Sequence, residues 1–241
     1  MTNLYEHMRD EHKISPAQEY LRQIVYGGND GIVTTFAVVA GFAGFGAEGA
    51  AEVGAIAVLL FGLANLLADG TAMGLGEFLS ARSEQDVYRA TRAKELHEIQ
   101  TNPEFERLET VELLKDRGLP SEDAETMANI MVRNPEYMAD FMMQHEIGMA
   151  DPTNEHPALN GLATFVSFLL FGFVPLIPYF LLPAGPDTFV VSVIATGLAL
   201  TTLGLLRWRV TTEGLLRCVG ETVLVGGICA FVAFGVGLAF R

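Results

Sequence analysis

Long apolar stretches are the feature that most constrains how this chain can fold. Two blocks, from Asp30 to about Leu79 and from Ala158 to Phe240, contain few charged residues. A helix that crosses a bilayer needs about 20 predominantly apolar residues, and the blocks contain two and three stretches of that size. We therefore predict an all-α polytopic membrane protein with five transmembrane helices. Buried helices of a soluble protein are the alternative, but five stretches with so few charges are not typical of one.

The basic residues predict the orientation of these helices. All but one of the 15 Lys and Arg precede the first span, lie between the second and third, or lie between the fourth and fifth. Loops rich in Lys and Arg stay on the cytoplasmic side of a membrane. The pattern therefore places the N-terminus and residues 81–156 in the cytoplasm and the C-terminus outside.

Composition divides the chain into three segments. Residues 1–80 contain an N-terminal amphipathic segment and transmembrane helices 1 and 2, and residues 157–241 contain helices 3 to 5. Between them, residues 81–156 carry 17 Asp and Glu against 8 Lys and Arg. This composition predicts a cytoplasmic, acidic helical insert between helices 2 and 3.

Local signals predict where the helices of the insert begin. Asn-Pro pairs at 102–103 and 134–135 indicate helix starts, because Asn favours the N-cap and Pro favours the first turn. Ser121 is the predicted cap of the helix between them.

Charge and cysteine content exclude several classes of protein. The formal net charge of −14 excludes a nucleic-acid-binding protein, which needs a basic face to meet phosphates. Cys218 and Cys229 are the only cysteines, and both fall on one predicted helix, which excludes a disulfide scaffold and a cysteine zinc site. The chain also lacks a nucleotide-binding loop, a GxSxG elbow and an HExxH zinc motif.

Acidic and thioether side chains recur at helical spacing in the insert. Two glutamate pairs spaced i, i+3 flank the break at 102–103, so a hairpin would bring them together. Carboxylates bind divalent cations, and thioethers favour iron or other transition metals over magnesium and calcium. On spacing alone, a metal site and a solvated acidic face with two core methionines both remain open. The candidate ligands are Glu95, Glu98, Glu106, Glu109, Met142, Met143 and Glu146.

A second set of polar residues falls inside the predicted membrane helices. Asp30 opens the first span, and four residues spaced four apart form one slanting stripe along the second. Ionisable groups inside a membrane are costly and often mark an ion pathway. Helix–helix hydrogen bonds and packing are the alternative for these residues. The stripe consists of Asn65, Asp69, Met73 and Glu77.

Small residues and prolines in the spans predict two further features. Gly70 and Gly74 let another helix approach closely, either within the chain or across a dimer. Pro175 and Pro178 are expected to bend the third span and to leave backbone carbonyls free.

Four motifs together show which family the chain resembles. They are NDGIVTTFAVVAG in the first span, AMGLGEFLSARSE at the end of the second, FMMQHEIGM in the insert and GFVPLIPY in the third. From about Tyr26 to Phe240 the chain resembles the vacuolar iron transporter family. The resemblance implies five membrane helices, a homodimer, a cytoplasmic metal-binding domain and proton-coupled export of Fe(II) from the cytosol, with Mn(II) as a second substrate. It also implies that the protein is not an enzyme.

The resemblance carries over to individual residues. The seven candidate ligands of the insert match the family's metal-binding residues, and Asp30 and Met73 match its membrane-pathway residues. Where better-known eukaryotic members have a glutamate in the middle of the second span, this chain has Asn65, and Asp69 follows one turn later. Either the carboxylate has moved by one turn, which preserves a protonatable group, or proton coupling or metal preference has changed.

These observations lead to one expected function and leave two others open. We expect an antiporter that binds metal ions and protons in a lipid bilayer, in a prokaryotic inner membrane or, alternatively, a vacuolar membrane. A membrane-anchored iron-storing or iron-oxidising protein is the second hypothesis, and the absence of a Glu-x-x-His motif counts against it. A metal sensor, in which the stripe would be mere packing, is the third.

Overall fold

The computed structural model describes residues 15–45, 51–183 and 185–239. Helix is the only regular secondary structure in these ranges, which confirms the all-α prediction. Most of the predicted N-terminal amphipathic segment, residues 1–14, lies outside them. The helices are α1 (Pro16–Glu19), α2 (Leu21–Phe45), α3 (Ala51–Thr101), α4 (Pro103–Asp116), α5 (Ser121–Met131), α6 (Pro135–His145), α7 (Pro157–Gly172), α8 (Ile177–Leu181), α9 (Pro186–Val210) and α10 (Leu215–Ala239).

The chain forms two compact units. The first, which we call the apolar unit, comprises Met1–Phe78 and Ala158–Arg241. The second, which we call the insert unit, comprises Leu79–Pro157. The 51-residue helix α3 contributes its first part to the apolar unit and the rest to the insert unit.

Four helices in the described ranges are long and apolar enough to cross a membrane. They are Gly54–Thr101, the broken helix Pro157–Leu181, Asp187–Val210 and Leu215–Ala239. The protein is therefore a polytopic membrane protein. Helix α2 is also 25 residues long but is not among the four, and it includes the polar residues Asn29 and Asp30.

Helix α2 is central to the packing of the apolar unit. It contacts both α9 and α10. One side of it contributes Phe36 and Val39 to a buried cluster with Leu176, and Ile32 contributes to a second cluster with Leu203. The burial of these side chains holds α2 in a fixed rotation, and that rotation determines where Asp30 lies.

Glycine lets the helices of the apolar unit approach at the level of the backbone. A Cβ atom on Gly27 would lie 2.6 Å from the Thr164 carbonyl oxygen on α7. On α3, a Cβ on Gly74 would lie 2.8 Å from Phe165 Cβ and 2.9 Å from the Gly161 carbonyl oxygen. The close approach predicted for Gly74 is therefore made within the chain.

The two prolines break the third predicted span, as expected. Helix α7 ends at Gly172, a 3-10 turn follows at Val174–Leu176, and the short α8 completes the span. The break frees the Pro175 carbonyl oxygen, which accepts a hydrogen bond of 2.7 Å from the hydroxyl of buried Ser192 on α9. A bare carbonyl in an apolar setting is costly, and this bond removes that cost.

The insert unit contains the helices that its local signals predict, with one correction. Asn102 and Asn134 are the N-caps of α4 and α6, and proline follows each of them, although neither side chain makes a capping hydrogen bond. The prediction for Ser121 was wrong, because Pro120 is the N-cap and Ser121 is the first helical residue. Gly118, with φ of 96°, ends α4 in the left-handed conformation that glycine adopts without strain.

Candidate metal sites

The seven candidate ligands of the insert unit come from three helices. The first glutamate pair lies on α3, the second on α4, and Met142, Met143 and Glu146 lie on and directly after α6. Both methionines are fully buried. Glu95 and Glu106 are only 7% and 5% exposed, which is unusual for carboxylates. Glu146 is exposed, and the remaining two glutamates, Glu98 and Glu109, are half-buried.

The five carboxylates are close enough that their charges affect the ionisation of three of them. Burial raises the pKa of Glu95 to about 7, and the charges of the other four add to this effect. Burial and neighbouring carboxylates also raise the pKa of Glu106 and of Glu146. A shared negative field of this kind favours whatever compensates it, either a proton or a cation.

Glu95 has an oxygen that the rest of the protein leaves unpaired. Its Oε1 atom is buried and has no hydrogen-bond partner. As the side chains are placed, no three His, Cys, Asp or Glu groups in the described ranges converge closely enough to hold a metal ion. The five carboxylates therefore lie near one another, but their oxygens do not converge on a single point. This is expected, because like charges separate when no cation lies between them.

A cleft of about 350 Å³ gives access to part of this group. It is lined by Leu108, Glu109, Glu112, Leu113, Asp116, Met142 and Glu146. Met142, Glu109 and Glu146 therefore border one space. A soft sulfur ligand beside hard oxygen ligands suits a first-row transition metal better than magnesium or calcium.

Two residues that support this group were missed from the sequence. The buried hydroxyl of Thr110 lies 2.8 Å from the Glu106 carbonyl oxygen and 3.6 Å from Met142 Sδ, so its one proton is within donating distance of either acceptor. Arg92 on α3 bonds Glu136 Oε2 at 2.9 Å and Asp140 Oδ1 at 2.5 Å, which ties α3 to α6. The four-residue step from Glu106 could have indicated Thr110, but no local signal could have paired Arg92 with side chains more than 40 positions away.

The polar stripe in the apolar unit is half-buried along its whole length. Asn65, Asp69, Met73 and Glu77 are all neither fully exposed nor fully covered. Asp30 on α2 lies within electrostatic range of Asp69 on α3. The structure thus brings within electrostatic range the two aspartates that the sequence singled out.

A direct hydrogen bond joins the same two helices further along. Gln23 Nε2 on α2 donates to Glu77 Oε1 on α3 at 3.1 Å. Gln23 is seven residues before Asp30, and Glu77 is eight residues after Asp69, as expected for two helices that run antiparallel side by side. Gln23 was missed from the sequence because only this pairing reveals it.

Comparison with known proteins identifies the family. Residues 21–238 match the profile of the VIT family. The chain is 33% identical to vacuolar iron transporter 1 of Arabidopsis thaliana over 96% of its length and 89% of the relative. It is 32% identical to vacuolar iron transporter 1 of Eucalyptus grandis, covering 98% of this chain and 93% of the relative. A vacuolar iron transporter of Toxoplasma gondii is also 32% identical, over 98% of this chain and 80% of the relative. The chain therefore belongs to the VIT family, whose members are membrane transporters rather than enzymes.

Proposed function

We propose that this protein exports Fe(II), with Mn(II) as a second substrate, from the cytosol in exchange for protons. The observation that carries the proposal is the pairing of Asp30 and Asp69 on two helices of the apolar unit. Two carboxylates close together in an apolar setting need a compensating positive charge. The transporters that share about a third of this sequence are named for iron, which supports that metal as the charge that compensates them.

The proposal includes a fifth membrane helix. Helix α2 has 25 residues, which at about 1.5 Å per residue exceeds the hydrocarbon thickness of a bilayer. It packs against α9 and α10, and both of these are candidate spans. With α2 as the first span, the basic residues flank the spans so that residues 81–156 are cytoplasmic and the C-terminus is outside.

The insert unit is proposed to collect the metal before transport. Its seven candidate ligands combine five carboxylates with two thioethers, and its acidic charge raises the local concentration of cations. Glu95 Oε1, which is buried and unpaired, is ready to accept a cation as its partner. Small movements of the side chains on α3, α4 and α6 then close the cage around the ion.

Exchange with protons follows from the chemistry of the membrane carboxylates. The ion passes from the insert unit to Met73 and Asp30 and then to Asp69. Carboxylates must be deprotonated to bind a metal, so protons that arrive from outside release it. Asn65 cannot take a proton, and Asp69 therefore carries the role that a glutamate at position 65 would have.

The protein is proposed to work as a homodimer. Large apolar side chains on α3, among them Phe61, Leu67 and Leu75, are more than half exposed in the single chain. Lipid or a second copy is expected to cover them. The names of the relatives favour a vacuolar membrane over a prokaryotic inner membrane, and both positions are compatible with export from the cytosol.

Metal uptake into proteoliposomes that hold a pH-sensitive dye tests this function. Fe(II), Mn(II), Zn(II) and Ca(II) are offered in turn under an imposed pH gradient. Entry of Fe(II) or Mn(II) coupled to proton exit is the expected result. Tight metal binding without movement of metal or protons would instead support a storage protein or a sensor, and oxygen consumption on addition of Fe(II) would identify an iron-oxidising protein.

A further inference from the structure

Gln23 has a buried polar atom that neither the fold nor the proposed pathway uses. Gln23 is the third residue of α2, and its exposed fraction is only 6%. Its Nε2 donates to Glu77 Oε1, whereas its Oε1 is buried and has no hydrogen-bond partner. A carboxylate accepts hydrogen bonds, so the donating end of the amide must face Glu77 and the orientation of the amide is fixed.

The unpaired oxygen needs an electropositive partner. A buried amide oxygen without a hydrogen bond is unfavourable. The nitrogen and oxygen of one amide share a carbon atom, so Gln23 Oε1 lies close to the Glu77 carboxylate to which Nε2 is bonded. An amide oxygen beside a carboxylate oxygen is a pair of ligands that divalent cations bind readily.

The antiparallel register places this pair at its own level along α2 and α3. From Gln23 to Asp30 is seven residues, and from Glu77 back to Asp69 is eight, which corresponds to about 10–12 Å along either helix. Met73 lies midway between Glu77 and Asp69 on α3. By position along the two helices, two pairs of oxygen ligands are therefore separated by roughly two helical turns, and Met73 falls between them on α3.

We propose that Gln23 and Glu77 form a further divalent-cation site, through Gln23 Oε1 and the Glu77 carboxylate, on the same route as Asp30 and Asp69. This inference rests on the proposed function and adds a site to it. The ligands are oxygens only, so the site favours a divalent cation without distinguishing Fe(II) from Mn(II). Discrimination between the metals is left to the thioethers.

The test compares three variants of the full chain in anaerobic proteoliposomes. Gln23→Leu removes the oxygen, and we expect the half-saturating concentrations of Fe(II) and Mn(II) to rise together by about tenfold. Gln23→Glu supplies a charged oxygen, and we expect both concentrations to fall several-fold. Thr35→Val is the matched control, because Thr35 is fully buried on the same helix with an unpaired hydroxyl but lies on another face, and its half-saturating concentrations should not change.

The outcomes separate this inference from the function on which it rests. If the unmodified chain carries no metal, the proposed function fails and this site fails with it. If the unmodified chain transports and Gln23→Leu leaves the half-saturating concentrations unchanged, only the site is overturned. Should Gln23→Leu fail to fold, Gln23→Glu decides, and an unchanged or raised half-saturating concentration in that variant overturns the site. A shift for one metal alone would also contradict a site made only of oxygens.

Discussion

The two units of the molecule hold their carboxylates in opposite ways. In the insert unit, five glutamates lie together beside two buried methionines, their burial and charges raise the pKa of Glu95, Glu106 and Glu146, and a cleft borders part of the group. In the apolar unit, one aspartate pair lies on α2 and α3, and glycine lets each of these helices approach the backbone of α7 closely. Several ligands in reach of water suit capture of a cation, whereas one costly pair in an apolar frame suits exchange. Under the proposed function, the difference indicates that the setting of a carboxylate matters more for its use than the number of carboxylates does.

Asp30→Asn is expected to have the largest effect, because it removes one charge of the aspartate pair in the apolar unit at constant shape. Metal flux into proteoliposomes should fall by about a hundredfold. Metal binding to the insert unit should remain, since none of its ligands is changed. Asp187→Asn, at an exposed aspartate in the first turn of α9, is the control and should keep its flux. Full flux in Asp30→Asn would remove this residue from the pathway.

Gly74→Ala tests the frame of the apolar unit. The added Cβ would meet both Phe165 Cβ and the Gly161 carbonyl oxygen at under 3 Å, so the variant should lose about 2 kcal/mol of unfolding free energy. Gly76 lies on the same helix with open space where a Cβ would be, and Gly76→Ala should gain roughly 0.5–1 kcal/mol from helix propensity. Thermal unfolding in detergent measures both. Equal effects would show that the backbone contact does not govern stability.

The pH dependence of the insert unit follows from the raised pKa of Glu95. Folding favours the protonated carboxyl, so the stabilisation is complete below the ordinary pKa of 4.5 and is lost as pH rises through about 7. Without metal, hydrogen exchange of α4 and α6, corrected for its intrinsic pH dependence, should quicken over that range. Glu95→Gln should flatten the dependence, and saturating metal should reverse it. Exchange that slows toward neutral pH without metal would contradict the buried acid group.

The smallest expected effect is a difference in stability between variants of two ion-paired residues on α3, Arg92 and Lys94. Arg92 bridges two carboxylates on α6 and is 27% exposed, whereas Lys94 meets Glu98 at 3.4 Å and is 76% exposed. Arg92→Met should cost the insert unit about 1 kcal/mol, and Lys94→Met should cost less than about 0.5 kcal/mol. Hydrogen exchange of α6 distinguishes them. If both variants behave alike, the bridge from α3 to α6 does not hold the ligand helix in place.

Much of the fold could be predicted from the sequence because its signals are local. Apolar length predicted the four helices that are long and apolar enough to cross a membrane, and Asn-Pro pairs predicted two helix starts in the insert. The spacing of Glu95, Glu98, Glu106 and Glu109 predicted that the two pairs lie close together, and in the structure burial and the charges of the other three raise the pKa of Glu95. The prediction that Ser121 is an N-cap was wrong, because the helix begins at Ser121 and Pro120 is its N-cap.

The remaining features depend on contacts between distant residues. Gln23 and Glu77 are 54 positions apart, and Arg92 meets Asp140 at a separation of 48. Neither pair has a motif, because each arises only when two helices pack in a particular register. The polar residues of α2 likewise set it apart from the four most apolar helices, and its membrane position is inferred from its packing partners.

The bond between Ser192 and the Pro175 carbonyl has a mechanical consequence. A proline break in a membrane helix is a natural hinge, because the hydrogen bonds that stiffen a helix are missing there. Here the Pro175 carbonyl accepts a hydrogen bond from the buried hydroxyl of Ser192 on the neighbouring helix. Bending at the break would have to break that bond, and the hydrocarbon of a membrane offers no other donor to replace it. The hydrogen bond thus restrains the bend in the third span, and movement during a transport cycle would have to occur at other positions in the molecule.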